Sequence, residues 1–255
     1  MKKRVCFMGT PQFAVAILDA LVQSDVEVVA VVSQPDKKVG RKQILQATPV
    51  KGKALNLGIP VLQPVKIKES LEDLKALDLD LIVTCAYGQF IPESILNTPR
   101  FGSVNIHASL LPKYRGGAPI HKAIINGETE SGITIMRMVK KMDAGDIIFQ
   151  ESCPIHEEDD FGALHDRLQI LGSEMILKYL SELFETNKKA SVKGPTPVVK
   201  IISGGQTGVD EAGLEVGFEL GISTGGTATP GFYTENGRNN LLKDKYGLIE
   251  PTKEI

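Results

Sequence analysis

The sequence predicts an α/β fold: a mostly parallel, Rossmann-like sheet carrying an antiparallel pair, followed by a small incomplete α/β segment. Three observations carry that prediction. Apolar runs with no internal polar residue, such as residues 5–8 (VCFM), mark strands buried on both faces, as parallel sheets require. Stretches with helical apolar spacing alternate with those runs. Residues 131–139 (SGITIMRMV) alternate apolar and polar, turn at Lys140-Lys141-Met142-Asp143-Ala144-Gly145, and are answered by a returning strand over 146–155.

Taken in order, residues 5–8 form a short buried strand, and Gly9-Thr10-Pro11 turns the chain into a helix. Thr10 is expected to cap it and Pro11 to occupy its first position. Phe13, Ala14, Ile17, Leu18, Leu21 and Val22 make its apolar stripe. Residues 26–32 form the next strand, completing a βαβ unit. A strand-glycine-helix junction suits a phosphate or carboxylate. The dinucleotide glycine pattern is missing, so no nucleotide site is read there. Residues 34–53 break the pattern as a long loop holding Lys37, Lys38, Arg41, Lys42, Lys51 and Lys53, with Asp36 its sole acid. Long loops inside compact domains tend to be functional, although charge alone is better explained by a solvated surface.

Gly58-Ile59-Pro60-Val61-Leu62 marks a helix end followed by a strand. Residues 70–77 form a short amphipathic helix, and residues 79–86 (LDLIVTCA) another buried strand. Tyr87, Gly88, Gln89, Phe90 and Ile91 follow at its carboxyl end, where open parallel sheets bind ligands. That loop can offer backbone groups to a flat heterocycle. A plain strand-to-helix turn explains the same residues, and the two readings are compatible. Residues 120–125 are expected as a helix ending at Asn126-Gly127. A long helix over 161–184 follows the acidic residues 157–160, whose charge suits a helix start. Its stripe is Leu164, Leu168, Leu171, Met175, Ile176, Tyr179, Leu180 and Leu183. His165 beside the stripe reads as structural, and His121 and His156 have no motif around them.

Composition bounds the function. Hydrophobic residues at 42% permit a full core, and a net charge of −2 excludes a generally basic nucleic-acid binder, so any RNA contact must come from a local patch. Cys6, Cys85 and Cys153 are far apart without paired spacing. This argues against a zinc site or a disulfide framework and suits a reducing cytosol. The opening MKKRVCFMG is too short in apolar residues for a signal peptide, and no stretch is expected to span a membrane.

The chemistry concentrates in residues 103–119. Val104 and Ile106 share one strand face, and Asn105 and His107 share the other. The strand gives way to Ser109-Leu110-Leu111-Pro112, where proline ends any ladder. An amide and an imidazole at a strand end converge on one small volume. Asn can donate to a developing oxyanion, and His can move a proton near neutral pH. That pairing suits acyl-type transfer. A half-buried strand whose Asn and His merely satisfy loop carbonyls is the bland alternative. The Arg115-Gly116-Gly117 run and the downstream Asp143 favour the functional reading. Turn chemistry alone also accounts for Asp143.

Asn105-x-His107-x-Ser109-Leu110-Leu111-Pro112, followed by Arg115-Gly116, resembles the hallmark of the folate-dependent formyltransferases. Met8-Gly9-Thr10-Pro11-Gln12-Phe13-Ala14, Gln34-Pro35-Asp36 with Gly40-Arg41, and Asp143-Ala144-Gly145-Asp146 resemble the methionyl-tRNA formyltransferases in particular. The resemblance runs from residue 1 to about Lys189. It implies the formyltransferase fold and a cytoplasmic enzyme of translation initiation. The implied formyl donor is 10-formyltetrahydrofolate, the implied acceptor is methionyl initiator tRNA, and no metal is required. Asn105, His107 and Asp143 would be catalytic. Ser109, Leu110, Leu111 and Pro112 would shape the folate wall, and the loop of Tyr87, Gly88, Gln89, Phe90 and Ile91 would bind the pterin through its main chain. Lys38, Arg41 and Lys42 would contact the tRNA acceptor stem, with Arg41 foremost. A sister enzyme acting on a glycinamide ribotide or an amino sugar, or a donor hydrolase, would use the same three residues.

The domain reading is a catalytic domain over 1–186, a polar linker over 187–197 (NKKASVKGPTP) and a partial α/β segment over 198–255. The small barrel that grips tRNA in the resembled family is not found. Instead residues 198–203 read as a strand, Gly204-Gly205-Gln206-Thr207-Gly208 as a glycine-rich turn, 210–220 as a helix and 222–227 as a short strand. This segment resembles the opening part of the molybdenum-carrier family, which implies anion binding at Gly204, Gly205, Thr207 and Gly208. A tight turn with no ligand explains those residues equally well. The expected unit is a single strand-helix-strand. A fold-retaining binding protein of low activity and an oxyanion carrier therefore stand beside the enzyme reading.

Overall fold

The computed structural model describes residues 2–40, 42–185, 200–202, 223–227, 233–234, 237–238 and 248–249. The chain divides into two units, Met1–Ala190 and Ser191–Ile255. The expected linker falls outside the described residues.

The first unit opens with β1 (Lys3–Gly9), α1 (Gln12–Gln23) and β2 (Val26–Val32), with β1 and β2 parallel. Then come the hairpin strands β3 (Lys37–Val39) and β4 (Ile44–Gln46), α2 (Pro49–Asn56), β5 (Val61–Leu62), a 3-10 turn over Ile67–Ser70 and α3 (Leu71–Ala76). The chain continues through β6 (Leu81–Cys85), α4 (Glu93–Leu96), β7 (Ser103–His107), α5 (Pro119–Ile125), β8 (Glu130–Arg137), β9 (Ile147–Pro154) and α6 (Phe161–Glu185). The main sheet has seven strands in the order β5-β2-β1-β6-β7-β8-β9. Strands β5 to β7 pair in parallel, and β8 and β9 are antiparallel. Chain order therefore runs outward from β1 in both directions, and a crevice opens at the carboxyl ends of β1 and β6.

Each face of β1 has its own core. Val5 and Phe7 join the cluster built with α1 and α6, while Cys6 and Met8 join the one that includes Leu74, Ile95 and Leu96. All four are fully buried, which is why the strand tolerates no polar residue. Burial also pushes the Cys6 and Cys85 thiols up to about 12, which keeps them protonated. Gly9 ends β1 where a Cβ would fall 2.8 Å from the Phe7 ring and 2.9 Å from the Ala14 Cβ. Only glycine lets α1 start this close to the strand.

Two local expectations differ from the structure. Thr10 does not cap α1: Pro11 holds the cap position without a side-chain hydrogen bond, and the Thr10 hydroxyl donates to the Tyr87 carbonyl at 2.8 Å. It ties the β1 turn to the loop after β6. Residues 34–53 are not one irregular loop. They contain the β3–β4 hairpin, with Lys38 opposite Leu45, and the start of α2, capped by the Thr48 side chain. Two of the basic side chains are engaged there, Lys51 with Asp36 and Lys53 with Asp19, each at 2.7 Å.

In the second unit the described strands are β10 (Lys200–Ile202), β11 (Ser223–Thr227), β12 (Tyr233–Thr234), β13 (Gly237–Arg238) and β14 (Leu248–Ile249). β10, β11 and β14 form a parallel sheet, and β12 pairs with β13 antiparallel. The single strand-helix-strand expected from the sequence is thus exceeded by a third parallel strand, near the end of the chain. The expected helix over 210–220 lies outside the described residues.

Candidate active site

β7 lies where the parallel half of the sheet meets the antiparallel pair, with Asn105 opposite Thr84 of β6 and His107 opposite Thr134 of β8. The alternation of the strand sends Val104 and Ile106 into the core and Asn105 and His107 into a cleft of about 630 Å³. That volume is in the range of small-molecule sites. Asp143 and the loop of Tyr87, Gly88, Gln89, Phe90 and Ile91 line the same cleft.

The Thr84 hydroxyl lies 2.7 Å from Asn105 Oδ1. With its oxygen so occupied, Asn105 keeps the Nδ2 donors for the cleft. His107 is 7% exposed, and its Nε2 lies 3.0 Å from the Tyr114 carbonyl. A carbonyl only accepts, so Nε2 carries a proton and Nδ1 is the nitrogen that gains or loses one. Nδ1 lies 3.8 Å from Asp143 Oδ2. Asp143 stands at φ 46° in the turn between β8 and β9, a conformation Asp tolerates, and its Oδ2 accepts the Gly116 N–H at 2.7 Å. An amide donor, an imidazole and a nearby carboxylate thus face one volume. They can stabilise a developing oxyanion and shift a proton.

Ser109, Leu110, Leu111 and Pro112 are not brought to the cleft, contrary to the expected folate wall. Their turn is held against β8. The Thr134 hydroxyl donates to the Ser109 carbonyl at 2.6 Å and accepts from the Leu111 N–H at 3.2 Å. Gln150 Nε2 reaches both Thr134 Oγ1 and the Leu111 carbonyl. Leu110 packs on Gly132, where any Cβ would overlap the Glu151 carbonyl oxygen. Lys38 and Lys42 are exposed on the β3–β4 hairpin and do not line the cleft, and Arg41 lies outside the described residues. Gly204, Gly205, Thr207 and Gly208 also lie outside them.

Sequence reasoning missed one wall. His121 and His165 both line the cleft. His121 stacks on Phe161 with centroids 4.1 Å apart, and His165 meets Phe13 edge-on at 5.3 Å. The available signal was the spacing of four between Phe161 and His165, which puts both on one helix face. Thr84, Thr134 and Gln150 gave no signal at all.

Comparison with known proteins bears on the family of the chain. Residues 2–180 match the Formyl transferase family, and residues 201–254 match the Circularly permutated YpsA SLOG family. The chain is 56% identical over 184 residues to the methionyl-tRNA formyltransferase of Staphylococcus epidermidis, covering 71% of this chain and 59% of that protein. It is 57% identical over 178 residues to that of Latilactobacillus sakei, covering 69% and 56%. The chain thus spans under two thirds of the length of these curated relatives. Among solved structures, a phosphoribosylglycinamide formyltransferase from Bacillus halodurans superposes with a TM-score of 0.59 at 27% identity, covering 74% of this chain and 97% of that one. A mostly parallel sheet with an antiparallel pair, an Asn-x-His strand end facing an Asp, and a family match over most of its length together place this chain in the formyl transferase family.

Proposed function

We propose that the first unit transfers a formyl group from 10-formyltetrahydrofolate to the α-amino group of methionyl initiator tRNA. The observation that carries this reading is the convergence of Asn105, His107 and Asp143 on one cleft, in a chain more than half identical to methionyl-tRNA formyltransferases over the matched region. The amine attacks the formyl carbon, and a C–N bond forms. The carbonyl oxygen becomes an oxyanion that Asn105 Nδ2 and protonated His107 stabilise. Asp143 holds the imidazolium and helps the amine lose its proton. Collapse breaks the bond from carbon to the folate nitrogen, which leaves with a proton.

The loop of Tyr87, Gly88, Gln89, Phe90 and Ile91 takes the pterin along the crevice at the β6 end. Phe13 and Phe161 with the two histidines offer an apolar, aromatic wall that suits a thioether side chain. Lys38 and Lys42, exposed on the hairpin, together with Arg41 contact the acceptor stem, and Lys38 and Lys42 have no ion-pair partner among the described residues.

The test is an acceptor panel with the full chain and 10-formyltetrahydrofolate: methionyl initiator tRNA, a charged elongator tRNA, a glycinamide ribotide and an amino sugar. Preferential formylation of the initiator tRNA supports the reading. Preference for either small acceptor would transfer the assignment to the sister enzymes, which share this fold.

A further inference from the structure

The turn that carries Arg115 and Gly116 is held from outside the cleft. Tyr114 stands at φ 57°, a left-handed conformation that a residue with a Cβ rarely adopts. Such a backbone persists where its surroundings over-determine it, and four bonds do so here. Tyr114 Oη donates to Glu128 Oε1 at 2.6 Å and accepts from Asn126 Nδ2 at 3.0 Å. Lys113 Nζ donates to Glu128 Oε2 at 2.9 Å, and Ser109 Oγ donates to the Lys113 carbonyl at 2.7 Å. Glu128 is itself anchored between α5 and β8, where its N–H donates to the Ala123 carbonyl at 3.0 Å.

We propose that Glu128 is a positioning residue for His107, acting through the Tyr114 side chain to aim the Tyr114 carbonyl at Nε2. This rests on the reading of His107 as a participant in formyl transfer. Glu128 does not line the cleft, so it does not touch the reactants. Its effect is on where the imidazole proton resides. While the Tyr114 carbonyl accepts from Nε2 at 3.0 Å, the neutral ring keeps its proton there and leaves Nδ1 free beside Asp143. If the turn relaxes toward ordinary backbone angles, the carbonyl swings away and the proton distributes over both nitrogens. A ring with its proton on Nδ1 cannot accept one on the side that faces Asp143.

Glu128 suits the task chemically. Its hydrogen bonds with Lys113 and then with Tyr114 hold its carboxyl below the usual range, so it remains an acceptor at neutral pH. Its side chain is 22% exposed while that of Lys113 is 62% exposed, so the tyrosine bond is the better shielded of the two. Besides His107, the ionisable groups on the cleft are Cys85, Tyr87, Asp143, His121, His165, Lys140 and Lys141, and none of them touches Glu128 in the bonds above.

The test uses the full chain with Tyr114→Phe, Glu128→Ala, Glu128→Gln and the double variant Tyr114→Phe/Glu128→Ala. Nitrogen-15 NMR of the histidine rings, with the His107 signals assigned from His107→Asn, reads the tautomer at a pH where the ring is neutral. Wild type is expected as the Nε2–H form. Tyr114→Phe and Glu128→Ala are expected as mixtures, with Glu128→Gln, which keeps an oxygen for Tyr114 Oη, recovering most of the Nε2–H form. The kcat for formyl transfer falls ~10-fold or more in the first two, since loss of alignment at a reacting group costs up to about 100-fold, while the KM for the folate donor stays within about twofold. The double variant is no slower than the slower single one, because both break one linkage. His107 kept as Nε2–H in both single variants, or losses that multiply in the double, overturns the proposal. If wild type transfers no formyl group, the functional reading fails, and the tautomer measurement still decides the linkage.

Discussion

Replacing Asp143 by Asn removes one charge and little else. The carboxylate lies 3.8 Å from His107 Nδ1, and the two side chains are 11% and 9% exposed. At about that separation, with an effective dielectric constant of about 20, a pair of unit charges is worth ~4 kcal/mol. Each ~1.4 kcal/mol of lost transition-state stabilisation is tenfold in rate. Full loss of the attraction is therefore close to a thousandfold, and the expected fall in kcat is ~100- to 1000-fold. Asn keeps an oxygen for the Gly116 N–H, which Asp143 Oδ2 now accepts at 2.7 Å, so the turn retains its anchor. Steady-state formyl transfer and thermal unfolding are measured on the same samples. A kcat within about threefold of wild type would refute the electrostatic role. A comparable loss accompanied by a large drop in melting temperature would show that Asp143 acts on the fold instead.

Lys38→Ala combined with Lys42→Ala is expected to raise the KM for tRNA and leave that for the folate donor unchanged. It should also lower the slope of log affinity against log salt by about 1–2; equal losses for both substrates would exclude a tRNA role. Gly132→Ala is expected to destabilise by ~1–3 kcal/mol in urea unfolding, because the added methyl meets the Glu151 carbonyl and Leu110; an unchanged midpoint would contradict the packing. Asp159 is held down to about 2, first by its side-chain bonds to Arg167 and then by the His156 N–H. A lowered folded-state value stabilises above the unfolded value of ~3.9 and is lost as pH falls through the folded one. Unfolding midpoints should thus drop between about pH 4 and pH 2, and Asp159→Asn should flatten that part of the curve; an unchanged slope would remove the linkage.

The parallel sheet was legible because its strands are buried on both faces, and no arrangement of VCFM or LIVTC leaves that much apolar surface in water. Asn105 and His107 were legible for a related reason, since strand alternation alone assigns them one face. What escaped depends on partners distant in the chain. Thr10 before Pro11 has the look of a helix cap, yet its hydroxyl finds the Tyr87 carbonyl on the neighbouring strand's loop. The hairpin of β3 and β4 was hidden by its charge and by the exposure of Ile44, Leu45 and Gln46, which leaves no buried face to impose alternation. Ser109 to Pro112 was expected at the cleft because the family resemblance implies a folate wall there. The bonds from Thr134 and Gln150 that hold it against β8 arise from the antiparallel register, which no local motif encodes.

The central claim is that a folate-borne formyl carbon sits between Asn105, His107 and Asp143. A crystal structure of the chain with a stable 10-substituted tetrahydrofolate analogue and methionine amide tests it most directly. The carbonyl oxygen of the analogue is expected about 3 Å from both Asn105 Nδ2 and the His107 imidazole, with the pterin against the loop that begins at Tyr87. An analogue bound elsewhere, or bound in the cleft with its carbonyl turned away from both side chains, would contradict the account.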